Sequence, residues 1–104
     1  MAIDRIASFR ALIAKAPQDP FPRYGLAMEF RSRGELEAAA AAFDELIAAF
    51  PDYVPSYLMA GGVAGKLGRT DQARALFQRG IDVATARGDS HARGELQSAL
   101  AEVA

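Results

Sequence analysis

The chain contains no cysteine, which excludes a disulfide framework, a thiolate nucleophile and a cysteine-ligated metal site. Asparagine is absent as well, and histidine occurs once, as His91. No charge of one sign dominates: twelve lysines and arginines stand against thirteen aspartates and glutamates, a formal net charge of −1. Neither nucleic acid nor an anionic membrane surface is therefore an expected partner, because both are recognised through a basic excess. No run of about twenty apolar residues exists, so no segment reads as a bilayer-spanning helix. The N-terminal MAIDRIASFRALIAK carries Asp4 and further charges where a signal peptide has an unbroken apolar core, and a cytoplasmic protein is expected. At 104 residues the chain reads as one domain, near the size at which folding buries about two-thirds of the surface of the extended chain.

Glycine, by contrast, is concentrated. The segment Met59–Gly68, MAGGVAGKLG, holds Gly61, Gly62, Gly65 and Gly68 beside Lys66 and resembles a phosphate-binding loop at first sight. Such a loop requires G-x-x-x-x-G-K-S/T directly after a buried strand. Here Ala60 stands five residues before Gly65 and Leu67 follows Lys66, while Pro51 and Pro55 break any central strand in front of it. No nucleotide site is expected.

Residue types recur at a spacing of 34: Phe9, Phe43 and Phe77; Ala7, Ala41 and Ala75; Ile13, Ile47 and Ile81. Leu12 with Leu46, Pro17 with Pro51, Gly34 with Gly68 and Ala39 with Ala73 share the offset. That period belongs to a helix-turn-helix unit that cannot bury its apolar face alone and stacks on its neighbours. Local signals agree. Apolar residues at 6, 9, 12, 13 and 16 follow helical spacing up to Pro17. Asp19-Pro20 then offers a cap and a first-turn proline for a second helix that ends at Gly34. The alanine-rich ELEAAAAAFDELIAAF forms a third helix closed by Pro51, its small residues allowing close packing. Pro55 opens a fourth that Gly68 ends, Thr70 is the expected cap of a fifth, and Asp89 or Ser90 that of a sixth. The fold class is all-α, with about six helices.

In these residues the chain resembles the tetratricopeptide repeat family. Residues 20–53 fit its pattern through Leu26-Ala27, Phe30, Gly34, Ala39, Phe43, Leu46 and Pro51, with Arg23 where an aromatic is usual. Residues 54–87 fit through Tyr57, Ala60-Gly61, Ala64, Gly68, Ala73 and Phe77, and depart from it at Gly80 and Thr85, which implies a fifth helix running past its usual end. The resemblance implies a right-handed superhelical stack of antiparallel helix pairs. In it residues 1–17 are a half-repeat helix, 20–53 and 54–87 are full repeats, and 89–104 are a C-terminal capping helix with Leu96, Ala99, Leu100 and Val103 on one stripe.

It also implies a non-enzymatic protein–protein interaction module that takes a partner's helix or peptide in a groove lined by the first helix of each pair. The groove positions carry Phe21, Tyr24, Met28, Arg31 and Ser32 from one repeat, and Pro55, Leu58, Met59, Gly62, Gly65 and Lys66 from the next. The family's carboxylate clamp needs lysine and asparagine where this chain has Tyr24, Met28, Leu58 and Gly62, so that ligand class is excluded. Gly61 falls where the pattern favours a small residue; Gly62 and Gly65 are unexplained by it, and each costs about 1 kcal/mol against alanine inside a helix. Two readings of the groove remain open, exposed to a partner or covered by the last helix. The rival function is a self-associating structural protein, a homo-oligomer joined through its terminal helices.

No catalytic residues, cofactor or metal are expected. The sequence Arg87-Gly88-Asp89-Ser90 matches an adhesion motif but falls at a helix junction, and Asp44-Glu45 and Glu35-x-Glu37 read as solvated helix faces. His91 reads as a surface residue of a first helical turn that forms neither a metal site nor a catalytic pair.

Overall fold

The computed structural model describes residues 4–103; residues 1–3 and 104, at the outer edges of the spans 1–17 and 89–104, lie outside the described residues. Among the described residues there are six helices and no strand: α1 (Arg5–Lys15), α2 (Pro20–Ser32), α3 (Leu36–Ala49), α4 (Pro55–Lys66), α5 (Thr70–Ala86) and α6 (Ser90–Glu102). Three aspartates start helices by accepting an orphan backbone N–H: Asp4 from Ala7 at 3.2 Å, Asp19 from Phe21 at 3.0 Å and Asp89 from Ala92 at 3.0 Å. Pro20 and Pro55 open α2 and α4, where a missing N–H leaves nothing unbonded.

Two kinds of stop occur. After α2, α4 and α5 come Gly34, Gly68 and Gly88 with φ of 76°, 77° and 71°. In each case the following N–H reaches back five residues, Glu35 to Phe30, Arg69 to Ala64 and Asp89 to Ala84, all at 2.9 Å, which is the Schellman closure. Helices α1 and α3 end instead on Ala16 (φ −131°, ψ 67°) and Phe50 (φ −135°, ψ 72°). Each precedes a proline whose ring disfavours helical backbone before it. At 17 residues α5 is longer than α3 with 14, as the loss of the usual pattern at Gly80 and Thr85 implied.

Thr70 is not the cap expected of it. It is already the first residue of α5, and Arg69 holds the cap position without a side-chain bond. The glycine turn causes this: once the Arg69 N–H is committed to the Ala64 carbonyl, a single residue separates the turn from the next helix, as Glu35 does before α3. The Arg69 guanidinium pairs instead with the Glu37 carboxylate at 2.7 and 2.8 Å and straps the start of α5 to the start of α3.

Each helix packs against its neighbours in the chain, and α6 also touches α4. The result is a layered body of 43 × 29 × 20 Å. Its core holds Phe43, Leu46, Tyr57 and Val63 with no exposed surface, together with Phe77 and Leu96. Between them lie the buried alanines 27, 39, 60, 64, 73 and 84, which let helix backbones approach closely. Of the 34-spaced phenylalanines, Phe43 and Phe77 are buried and Phe9 is half-buried. Gly61 lies beneath the Phe77 ring and Gly25 beneath that of Phe9; an added Cβ would come within 2.3 Å of either ring. Tyr57 donates its hydroxyl proton to the Pro51 carbonyl, and Arg79 lies over its ring at 5.7 Å.

Candidate partner-binding cleft

Helix α4 forms the floor of the site, because its residues alternate between core and surface within each turn. Tyr57, Ala60, Gly61, Val63 and Ala64 turn inward, Leu58 and Met59 are half-buried, and Gly62, Gly65 and Lys66 are exposed. On one side stands Tyr24 of α2, held edge-on to Tyr53 at 5.7 Å and 65° and to Phe43 at 6.3 Å and 69°. Burial, with some help from Tyr53, holds the Tyr24 phenol above its ordinary range against the opposing pull of Arg31, so at neutral pH it is an uncharged hydroxyl. On the other side stands α6.

The three helices enclose a cleft of about 310 Å³ lined by Tyr24, Val54, Pro55, Leu58 and Met59 on one side and Asp89, His91, Ala92, Glu95 and Leu96 on the other. That volume is at the low end of small-ligand sites. Leu58 continues into a second furrow of about 430 Å³, which has Gly61, Gly62 and Gly65 as its floor and Ala99, Glu102 and Val103 of α6 among its walls. No atom of another helix lies within 4 Å of where a Cβ would stand on Gly62 or Gly65, so α6 flanks this floor and does not cover it.

The groove residues read from the sequence are thus divided. Tyr24, Leu58 and Met59 meet in the cleft, and Gly62 and Gly65 join Leu58 in the furrow. Met28 and Arg31 line a separate recess of about 510 Å³ with Arg5, Phe9 and Gly25, between α1 and α2. Phe21, 61% exposed, and Lys66 line none of the three. Of the two readings of the groove neither holds in full, since α6 stands beside it as a wall whose polar residues the family pattern does not mark. Its residue His91 places Nε2 3.0 Å from Oε1 of Glu95 one turn later, a pairing that the i, i+4 spacing of the two could have signalled.

Among the described residues no three histidine, aspartate or glutamate side chains cluster as a metal site, and no helix is long and apolar enough to cross a membrane. The cleft offers apolar contact area, one neutral hydroxyl and a carboxylate edge, which suits recognition of another chain.

An all-α protein of stacked helix pairs, with a cleft where the first helices of successive pairs meet, is a helical-repeat protein. Residues 23–53, which hold α2 and α3 apart from the start of α2, match the tetratricopeptide repeat family. The chain is 39% identical to a tetratricopeptide repeat domain protein from Salinibacter ruber in its solution structure, over 84% of this chain and 88% of that one, with a TM-score of 0.79. A crystal structure of a tetratricopeptide repeat domain protein from the same organism gives 39% identity over 82% and 96%, with a TM-score of 0.78. A protein from Bordetella parapertussis, 20% identical, shares the fold over 98% of this chain and 89% of its own, with a TM-score of 0.82. No curated protein matches the chain. The chain belongs to the tetratricopeptide repeat family.

Proposed function

We propose that this protein is a non-enzymatic interaction module, an adaptor, scaffold or chaperone-like unit, that lays a helix or extended peptide of a partner protein along α4 between α2 and α6. The observation that carries the reading is the open cleft at Tyr24, Leu58 and Met59, apolar at its base and continuous through Leu58 with the side-chain-free floor at Gly62 and Gly65. The family's general role in protein–protein interaction supports it. In this reading residues 20–53 and 54–87 are the two repeats, 1–17 is a half-repeat, and 89–104 both caps the stack and completes the site.

One observation favours self-association as a second reading, and it lies at α1. That helix has no buried residue, and Leu12 is 48% exposed. Helix α6, by contrast, buries Leu96.

Site-specific photo-cross-linking distinguishes the two. A benzoylphenylalanine side chain is placed at Met59 in the cleft, at Leu12 on α1, or at the exposed Gln97 on the outer face of α6. In cells that make the protein, cross-linking to a different protein from position 59, and not from 97, is the expected result. Cross-links from 12 to a second copy, with none from 59, would replace the interaction reading by self-association.

A further inference from the structure

The charges around the α4–α6 cleft are not a sample of the whole surface. The chain carries twelve lysines and arginines and thirteen aspartates and glutamates. None of the twelve cations lines either the cleft or the furrow that continues it; the charged lining residues are Asp89, Glu95 and Glu102, with His91 beside Glu95. All three carboxylates belong to the α6 side. Glu95 and Glu102 stand seven residues apart, two turns of helix and so on one face, about 10 Å from one another along the axis. Asp89 is anchored, since its Oδ1 accepts the Ala92 N–H at 3.0 Å at the start of the helix. Opposite this acidic wall the lining is apolar: Tyr24, Val54, Pro55, Leu58 and Met59.

We infer that the cleft selects a partner segment in which a bulky apolar side chain is flanked by lysine or arginine, and discriminates against acidic segments. The inference rests on the peptide-binding reading above and adds the partner's chemistry to it. The apolar anchor enters between Tyr24, Leu58 and Met59, while the neighbouring cation lies along the α6 wall against Glu95 and Asp89. An acidic segment in the same pose sets like charges against one another with no cation in the lining to relieve them. Such an arrangement acts on partner choice and on encounter rate more than on raw affinity. The sign of the selection is set locally, because the net charge of −1 for the whole chain provides almost none of it.

The test uses three short fluorescent amphipathic peptides and fluorescence anisotropy against the full chain. The first has leucines at helical spacing with lysines between them; the second replaces every lysine by glutamate; the third keeps the lysines and replaces every leucine by serine. The first is expected to bind at least about ten-fold more tightly than either of the others, and to weaken as salt is raised. The double variant Glu95→Gln, Asp89→Asn, in which asparagine retains the capping oxygen, is expected to lose most of that preference with unchanged helical content. Leu58→Asp is expected to lose binding of the first peptide while keeping its helices. Equal binding of the lysine and glutamate peptides overturns the charge inference and leaves the peptide-binding reading intact. Equal binding of the leucine and serine versions overturns it as well, because it reduces the site to unspecific attraction. If none of the three binds, the inference falls, and the cross-linking result at Met59 decides the underlying reading independently.

Discussion

Truncating Phe43 to alanine is expected to destabilise the protein by about 3 to 5 kcal/mol, the usual range for a buried phenylalanine that leaves a cavity behind. The ring has no exposed surface and sits on α3, which packs against both α2 and α4. It also meets the Tyr24 ring edge-on at 6.3 Å, so its removal takes away one of the two rings that orient the cleft wall. The loss is a large part of the 5 to 15 kcal/mol of a typical domain. In a chain of this size it lowers the melting midpoint by more than about 10 °C. Thermal melts of Phe43→Ala beside Glu45→Ala, an exposed position on the same helix, measure it. Equal midpoints for the two variants would remove Phe43 from the core.

Neighbouring glycines are expected to respond to alanine with opposite signs. At Gly61 the new methyl would lie 2.3 Å from Cε1 of Phe77, 2.6 Å from Cδ1 and 2.7 Å from Cζ, and that ring is only 5% exposed. Because a buried ring has little room to retreat, Gly61→Ala should cost about 1 to 3 kcal/mol as overpacking, more than alanine's helical advantage returns. At Gly62 no atom of another helix lies within 4 Å of the new methyl, so Gly62→Ala should gain up to about 1 kcal/mol. Urea denaturation of the two variants reads both shifts. Movement of the midpoints in the same direction would mean that Phe77 does not pack on α4 as described.

How far the sequence discloses this structure depends on how local each cause is. Pro17, Gly34, Pro51 and Gly68 mark helix ends correctly because each acts on its own backbone or on the residue before it. Asp19 and Asp89 mark starts for a similar reason, as both carboxylates bond within three residues. Thr70 misleads because two local signals compete: the Schellman turn at Gly68 leaves one residue before the helix, and Arg69 occupies it. Glu37 looks like solvated charge because its partner Arg69 is 32 residues away.

The site follows the same division. The 34-residue repeat places Tyr24, Leu58 and Met59 on corresponding helices, so their convergence can be read from spacing and family pattern. The contribution of Asp89, His91 and Glu95 cannot, since it arises from α6 packing on α5 and thereby reaching α4. Met28 and Arg31 lie on α2 as the repeat implies, but α1 runs alongside that part of α2, and they line a recess there with Arg5 and Phe9.

The way α6 is attached bears on how long the cleft exists. The rest of the lining comes from α2, α4 with Val54 before it, and α5, helices that each pack between two neighbours, whereas α6 is held by α5 and by a lesser contact with α4. Leu96 provides its fully buried anchor, close to where Gly80 lets α4 and α5 meet. Elements held chiefly by one neighbour open locally at less than the free energy of global unfolding. The cleft is therefore expected to persist only as long as α6 stays docked, and the acidic wall with it. A bound segment that touches both α4 and α6 lengthens that lifetime, and amide hydrogen exchange along Ser90–Glu102 is the clock on which it would be read.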